Sequence, residues 1–361
     1  MGHPAESTHL SRGHLPPPRR ELAPPLLLLA LLSACPEGVA RHLDGPAADL
    51  ADARALSDKG VLGNDGTPAG PDTAQTFTVT KSFGPVSSTE SQYSPYVLKQ
   101  PGWATTLMYY CKNTSINGVH KDRVWRAESS DGVTGWSNHA VVVEGSGDSF
   151  LSCSPGVLVD SFGNFNLFYI AASASGTPLS VHQAWSKAPG TSFTQLGEVP
   201  GLPVKACAGC LESPSPVLIN GKLYLYLIEW GTLYRYLLTW SNNRWNASGR
   251  TVASSSLYAS HGHVKDLGGT YAFVYSRAVV SNSYGPPGMI FLDTRGSPLG
   301  FGAGTLQLQA PDNDTVWYGR RIWSPDVAQT GTGPRIYFAG NNGSPSWWGS
   351  GSAIGVYQRT P

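Results

Sequence analysis

Charge is scarce in this sequence: Lys, Arg, Asp and Glu together make up 14% of its 361 residues. From Thr76 to the C-terminus there are only six Glu and eight Lys, and long helices draw on those residues together with Ala and Leu. This argues against a helical or mixed α/β architecture. The 25 basic and 24 acidic residues nearly cancel and form no run of one sign, so neither nucleic acid nor an anionic surface is the expected partner. Cysteine is thin as well, at five residues. No apolar run reaches the ~20 residues a membrane-spanning helix needs. What is abundant is different in kind. Gly 42, Pro 28, Trp 11 and Tyr 16, with many Ser and Thr, suit short strands joined by turns. The composition is all-β.

One phrase recurs along the chain. At Cys210–Tyr226 it reads CLESPSPVLINGKLYLY: a carboxylate and a Ser-Pro at a strand entry, a turn at Asn220-Gly221, then an alternating apolar strand. Related copies start at Tyr93 (YSPYVLKQPGWATTLMYY), Cys153 (CSPGVLVDSFGNFNLFY) and Trp323 (WSPDVAQTGTGPRIYF). A looser copy at Ser260 (SHGHVKDLGGTYAFVY) has Gly262 in place of proline. Pro95, Pro155, Pro214, Gly262 and Pro325 fall 60, 59, 48 and 63 residues apart. Such self-similarity marks a repeat architecture, because one unit cannot bury both faces of its own sheet.

Each unit continues in the same way. After the Ser-Pro segment come predicted strands at Thr105–Tyr110, Asn164–Tyr169, Lys222–Ile228, Thr270–Tyr275 and Arg335–Ala339. A turn and a second strand follow: Asp122–Glu128, Leu179–Trp185, Gly231–Trp240, Gly288–Asp293 and Ser352–Gln358. Further strands such as His139–Val143 complete about four per unit, the pattern of a propeller blade. The expectation is a five-bladed β-propeller of four-stranded antiparallel blades over residues 76–361, with two packed β-sandwiches as the alternative. The strand at Thr76–Lys81 has no blade of its own. It is expected to complete the last one and close the ring, hiding sheet edges.

The strand entries would then rim one mouth of a central funnel: Ser94, Ser154, Glu212-Ser213, His261-Gly262-His263 and Ser324-Pro325-Asp326. At this point the chain resembles the five-bladed glycoside hydrolases of the arabinanase and β-xylosidase type, family 43 and its relatives. The resemblance covers about residues 84–361. It rests on the repeat count, the x-Pro entries and the turn Ser130-Asp-Gly-Val-Thr-Gly-Trp136, which is itself expected to be structural. It implies a general acid in the third unit, where Glu212-Ser213-Pro214 matches, and a histidine in the fourth, where His261 or His263 falls. It also implies an aspartate where Ser94 stands and a second one near Ser154. Inverting hydrolysis needs two carboxylates with room for water between them, so Glu90, Asp148 and Asp326 are candidates for the missing base. Trp317, Trp323, Trp347 and Trp348 are candidates for stacking on sugar rings, since flat aromatic faces pack against sugar C–H groups. Three function classes stay open: a hydrolase with Glu212 as acid, a glycan-binding protein that has lost the aspartates, and a protein-interaction propeller. The partner expected is carbohydrate, and the state a monomer. No metal centre or cofactor is assigned; a structural cation such as calcium beside the axial histidines stays open.

The N-terminus carries a targeting pattern. Arg19-Arg20 precedes a short apolar run that ends in Leu32-Ser33-Ala34-Cys35, which resembles the bacterial lipobox. That resemblance implies a lipoprotein signal peptide at 1–34, lipidation of Cys35, and, from Pro36, sorting to the outer membrane. Residues 35–75, rich in Ala, Gly, Asp and Pro, read as a flexible tether. Removing 1–34 takes Arg12, Arg19, Arg20, Glu6 and Glu21 and leaves a formally neutral chain. An exported location permits disulfides. Cys111 with Cys153, and Cys207 with Cys210, are the pairs expected, in preference to a zinc site or a redox CxxC.

Overall fold

A computed structural model describes residues 77–83, 90–116, 119–144, 151–173, 178–187, 190–205, 210–255, 259–277, 288–311, 315–330, 333–341 and 352–359. The signal-peptide and tether assignments, Cys35, Asp148, Cys207, Trp347 and Trp348 therefore lie outside the described residues. Every regular element among the described residues is a strand. The first, β1 (Phe77–Phe83), precedes a series of four-strand sets. Set one is β2 (Ser91–Leu98), β3 (Thr106–Ile116), β4 (Val119–Ser129) and β5 (Ser137–Val143). Set two is β6 (Leu151–Val159), β7 (Phe165–Ala172), β8 (Ser180–Ser186) and β9 (Thr194–Glu198). Set three is β10 (Leu211–Ile219), β11 (Lys222–Glu229), β12 (Thr232–Ser241) and β13 (Arg244–Ser254). Set four is β14 (Ala259–Asp266), β15 (Tyr271–Arg277), β16 (Met289–Arg295) and β17 (Thr305–Gln309). The last strands are β18 (Arg321–Thr330), β19 (Gly333–Asn341) and β20 (Ala353–Arg359).

Neighbouring strands within a set pair antiparallel, and sets three and four are separate four-stranded sheets. Sets one and two share a sheet only through a single parallel bridge, Asp122 to Leu151. The strand β1 pairs with β20 and supplies the fourth strand of the last sheet, as its lack of a set of its own predicted. The leading strands pack in a cycle: β2 on β6, β6 on β10, β10 on β14, β14 on β18, and β18 back on β2. Two separate sandwiches would not close in this way.

Burial follows from position in the sheet. Strand β7 is buried at every residue and β11 at nearly every one, which is why FNLFYIAA and KLYLYLIE are apolar on both faces. The fourth strands β9, β13 and β17 are largely exposed and more polar. Among the described residues the core divides into five clusters, each between neighbouring groups of strands. Between sets two and three, for example, Phe168, Ile170 and Val181 meet Leu223, Leu225 and Leu227. At the seam between first and last, Met108 and Tyr110 meet Tyr337, Ile354 and Val356. Each fully buried side chain of this kind contributes about 1.5–3 kcal/mol.

The Ser-Pro entries have a shared backbone geometry. Ser94, Ser154, Ser213 and Ser324 have φ of 48°, 49°, 56° and 47°, and each coincides with a register shift against the second strand. The entries are therefore β-bulges with a residue in the left-handed region, each strained by about 1 kcal/mol or more. Polar contacts to the next set hold them. Ser94 Oγ donates to Ser324 Oγ at 3.2 Å, Ser154 N to Cys111 Sγ at 2.9 Å, and Gly262 N to Ser213 Oγ at 3.1 Å. Gly156 permits the close approach of β6 to β10, since a Cβ there would lie 1.8 Å from Pro214 O. The expected disulfide Cys111–Cys153 joins sets one and two, and Cys210 is also disulfide-bonded.

Candidate functional site

Glu212 stands at the start of β10, immediately before the bulged Ser213. Its side chain is 13% exposed. Ser154 Oγ donates to Glu212 Oε2 at 3.0 Å, and His261 Nε2 lies 3.7 Å from the same oxygen. Burial pushes the Glu212 carboxyl up to about 7, with the Ser154 hydroxyl pulling weakly the other way. Burial, then the nearby Arg321 guanidinium, pushes His261 down to about 3. The imidazole is thus neutral at physiological pH, and the contact is not an ion pair. His261 Nδ1 is buried without a hydrogen-bond partner among the described residues. The units named by the repeat pattern do bring Glu212, Ser154 and His261 together.

Several other expectations are corrected. Asp326 is wholly buried: its Oδ2 accepts from Val97 N at 2.5 Å and lies 3.2 Å from Lys265 Nζ. Burial raises it to about 6, opposed chiefly by Lys265, while burial lowers Lys265 to about 8 against the pull of Asp326. This is an internal ion pair between β14 and β18, not a base open to water. The Lys265 ammonium also donates to Val97 O at 2.8 Å and sits 3.2 Å from the Tyr96 ring centroid. No group of three or more His, Cys, Asp or Glu that could hold a metal ion occurs among the described residues. Glu90 is paired with Lys112 at 3.1 Å, and the same ammonium lies 4.7 Å from the Trp125 ring.

The remaining candidates are packing residues. Ser94 is buried and engaged with Ser324. His263 is buried edge-on to Tyr96, with Nδ1 3.1 Å from Ser215 Oγ. Trp323 is buried with Arg321 over its ring, and Trp317 stacks on Phe338 at 5.6 Å. Ser94, His263 and Trp323 are thus buried in the protein, and Trp317 is partly buried with one ring face on Phe338. The Asp131 turn is structural, as expected: its Oδ1 accepts from Val133 N, Thr134 N and Ser129 Oγ, and Trp136 is buried. A cavity of about 730 Å³ lies at the opposite ends of the axial strands, lined by Leu98, Val159, Leu218, Asp266 and Gln329 among others. The Glu212 cluster is not part of it.

The structure also adds residues the sequence did not mark. Asp122 is a buried carboxylate that accepts from Asn113 Nδ2 at 3.0 Å. Burial first, then Asp122 and more weakly Glu212, holds the Tyr93 phenol protonated well above its usual range. Tyr93 and Asp122 lie on the sheet face that carries Cys111, as the pairs Tyr93–Cys111 and Asn113–Asp122 require. No local motif signals them; only the strand register brings them together.

No family model matches the sequence, and no curated protein matches it. Solved structures do. The catalytic domain of a Coprinopsis cinerea GH62 α-L-arabinofuranosidase superposes with a TM-score of 0.57 at 14% identity, over 79% of this chain and 97% of that one. A GH43 β-xylosidase/α-arabinofuranosidase from a compost microbial metagenome, solved with xylotriose, gives 0.54 at 11%, over 78% and 95%. A thermostable family-43 glycoside hydrolase gives 0.51 at 17%, over 75% and 89%. The chain has the β-propeller fold of the family-43-like glycoside hydrolases.

Proposed function

We propose that this chain is a carbohydrate-active protein, a five-bladed β-propeller over residues 76–361 in which Glu212 is the proton donor at the funnel mouth. The observation that carries this is the Glu212 carboxyl, raised to about 7 by burial, opposed only weakly by the Ser154 hydroxyl and with no cationic partner among the described residues, the nearby His261 being neutral. A carboxyl that keeps its proton near neutral pH is suited to protonating a leaving glycosidic oxygen. The unpartnered Nδ1 of His261 suits a sugar hydroxyl. A five-bladed count is supported by the five leading strands that pack in a cycle.

A second reading has its own support. Ser94 occupies the position, and Ser154 lies near the position, where the family resemblance implies aspartates, and both hydroxyls are engaged within the protein. On that reading the mouth binds glycan without cleaving it. One experiment separates the two: reducing-sugar release from arabinan and xylan, with binding to the same glycans measured in parallel, for the protein and its Glu212→Gln variant. Hydrolysis lost in the variant with binding retained supports the acid. Binding by both proteins with no hydrolysis by either supports the receptor, and neither activity in the wild-type protein sinks the carbohydrate reading.

We further propose export, with residues 1–34 as signal peptide, lipid on Cys35, a tether over 35–75, and anchoring in the outer membrane of a bacterial envelope. The disulfides at Cys111–Cys153 and at Cys210 fit an oxidising compartment. Palmitate labelling that survives a Cys35→Ala substitution would refute the anchor.

A further inference from the structure

Resting on the reading of the Glu212 end as a sugar site, we propose that Trp230 is a stacking platform for a neutral sugar ring on the rim of that mouth. The starting observation is backbone strain. The sheet β10–β13 contains three two-residue hairpin turns, each needing positive φ at both central positions. Two use residues that tolerate it: Asn220-Gly221 at 49° and 74°, and Asn242-Asn243 at 53° and 58°. The third, between β11 and β12, uses Trp230-Gly231 at 52° and 77°. A short polar side chain or glycine enters the left-handed region readily; a bulky aromatic residue there is an outlier. Asparagine would serve this turn better on local grounds.

Packing among the described residues does not explain the choice. Trp230 is 51% exposed, belongs to none of the core clusters, and its ring stacks on no aromatic ring among the described residues. Trp240, exposed to a similar degree at 48%, differs on both counts: it lies in strand β12 and packs edge-on against Trp245 at 5.2 Å. Strain without a packing return is the pattern found at functional positions.

Location supplies the rest. Trp230 N donates to Cys210 O at 3.4 Å, and Ala259 N donates to Gly231 O at 3.3 Å. The turn is thus fastened to the residue two before Glu212 and to the residue two before His261. Ile228 pairs with Glu212, so Trp230 is rooted about 7 Å further along that strand direction. This is the entry end of the axis, the end that holds Glu212 and His261. A tryptophan rooted at this backbone separation from a proton donor is placed to meet a sugar ring next to the one being protonated. The ligand class is an uncharged glycan, whose apolar C–H face matches the indole face.

The test uses the full chain and two variants, Trp230→Asn and, as a control, Trp240→Ala. Thermal midpoints are measured together with affinity for xylotriose, arabinotriose, xylan and arabinan. Relief of strain predicts that Trp230→Asn raises Tm by about 2 °C. Loss of the platform predicts affinity weakened roughly tenfold for at least one glycan, with Trp240→Ala unchanged. A fall in Tm, or unaltered binding by Trp230→Asn, overturns the proposal while leaving Glu212 as proton donor intact. A wild-type protein that binds none of the four glycans overturns both.

Discussion

Glu212 and Asp326 are two carboxylates set at bulged entries of axial strands, the first largely and the second wholly buried, and burial raises them to about 7 and about 6. Their partners separate them. Asp326 accepts from Val97 N and faces the Lys265 ammonium at 3.2 Å; with Lys265 at about 8, both stay charged at pH 7. Glu212 has one hydroxyl donor and a neutral imidazole. A buried carboxylate with an ammonium is a structural tie. A buried carboxyl without one is a stored proton. Two carboxylates flanking the same Ser-Pro phrase, Glu212 before it and Asp326 after it, thus take opposite roles through the identity of one neighbour.

The largest expected effect breaks the comparison on the Glu212 side. If the hydrolase reading holds, Glu212→Gln lowers sugar release by about 10²–10⁴-fold, and calorimetry finds the fold intact. Next comes the Asp326 side. Lys265→Met leaves Asp326 buried without its cation, which costs about 3–5 kcal/mol; the double variant with Asp326→Leu recovers most of it in denaturant titrations. The smallest effect sharpens the contrast through pH. Glu212 binds its proton more tightly folded than unfolded, so its contribution is fully present below about pH 4.5 and is lost as pH rises through about 7. That loss amounts to about 3 kcal/mol, and the Glu212→Gln variant lacks it.

The repeat, the sheet class and the closing strand were legible because they follow from spacing and alternation. Predicted Thr76–Lys81 became β1 on β20, and predicted Lys222–Ile228 became β11 within one residue. The mouth was legible in part. Glu212, Ser154 and His261 share a layer because the Ser-Pro register puts them there. Asp326 misled because SPD at a strand entry says nothing of where the carboxylate points, and its partner Lys265 is 61 residues away in sequence. Tyr93 and Asp122 meet only through a hairpin register. Trp230 was invisible for another reason: Trp-Gly at a hairpin is notable only once its φ of 52° is known.

The most direct measurement is a titration of the Glu212 carboxyl by carbon-detected NMR on glutamate-labelled protein, assigned by its absence in Glu212→Gln. The expected midpoint is near 7, moving higher in Ser154→Ala, because the Ser154 hydroxyl favours the ionised form. A midpoint in the ordinary carboxylate range, near 4.5, would mean that Glu212 is ionised at neutral pH and is not the proton donor of this site.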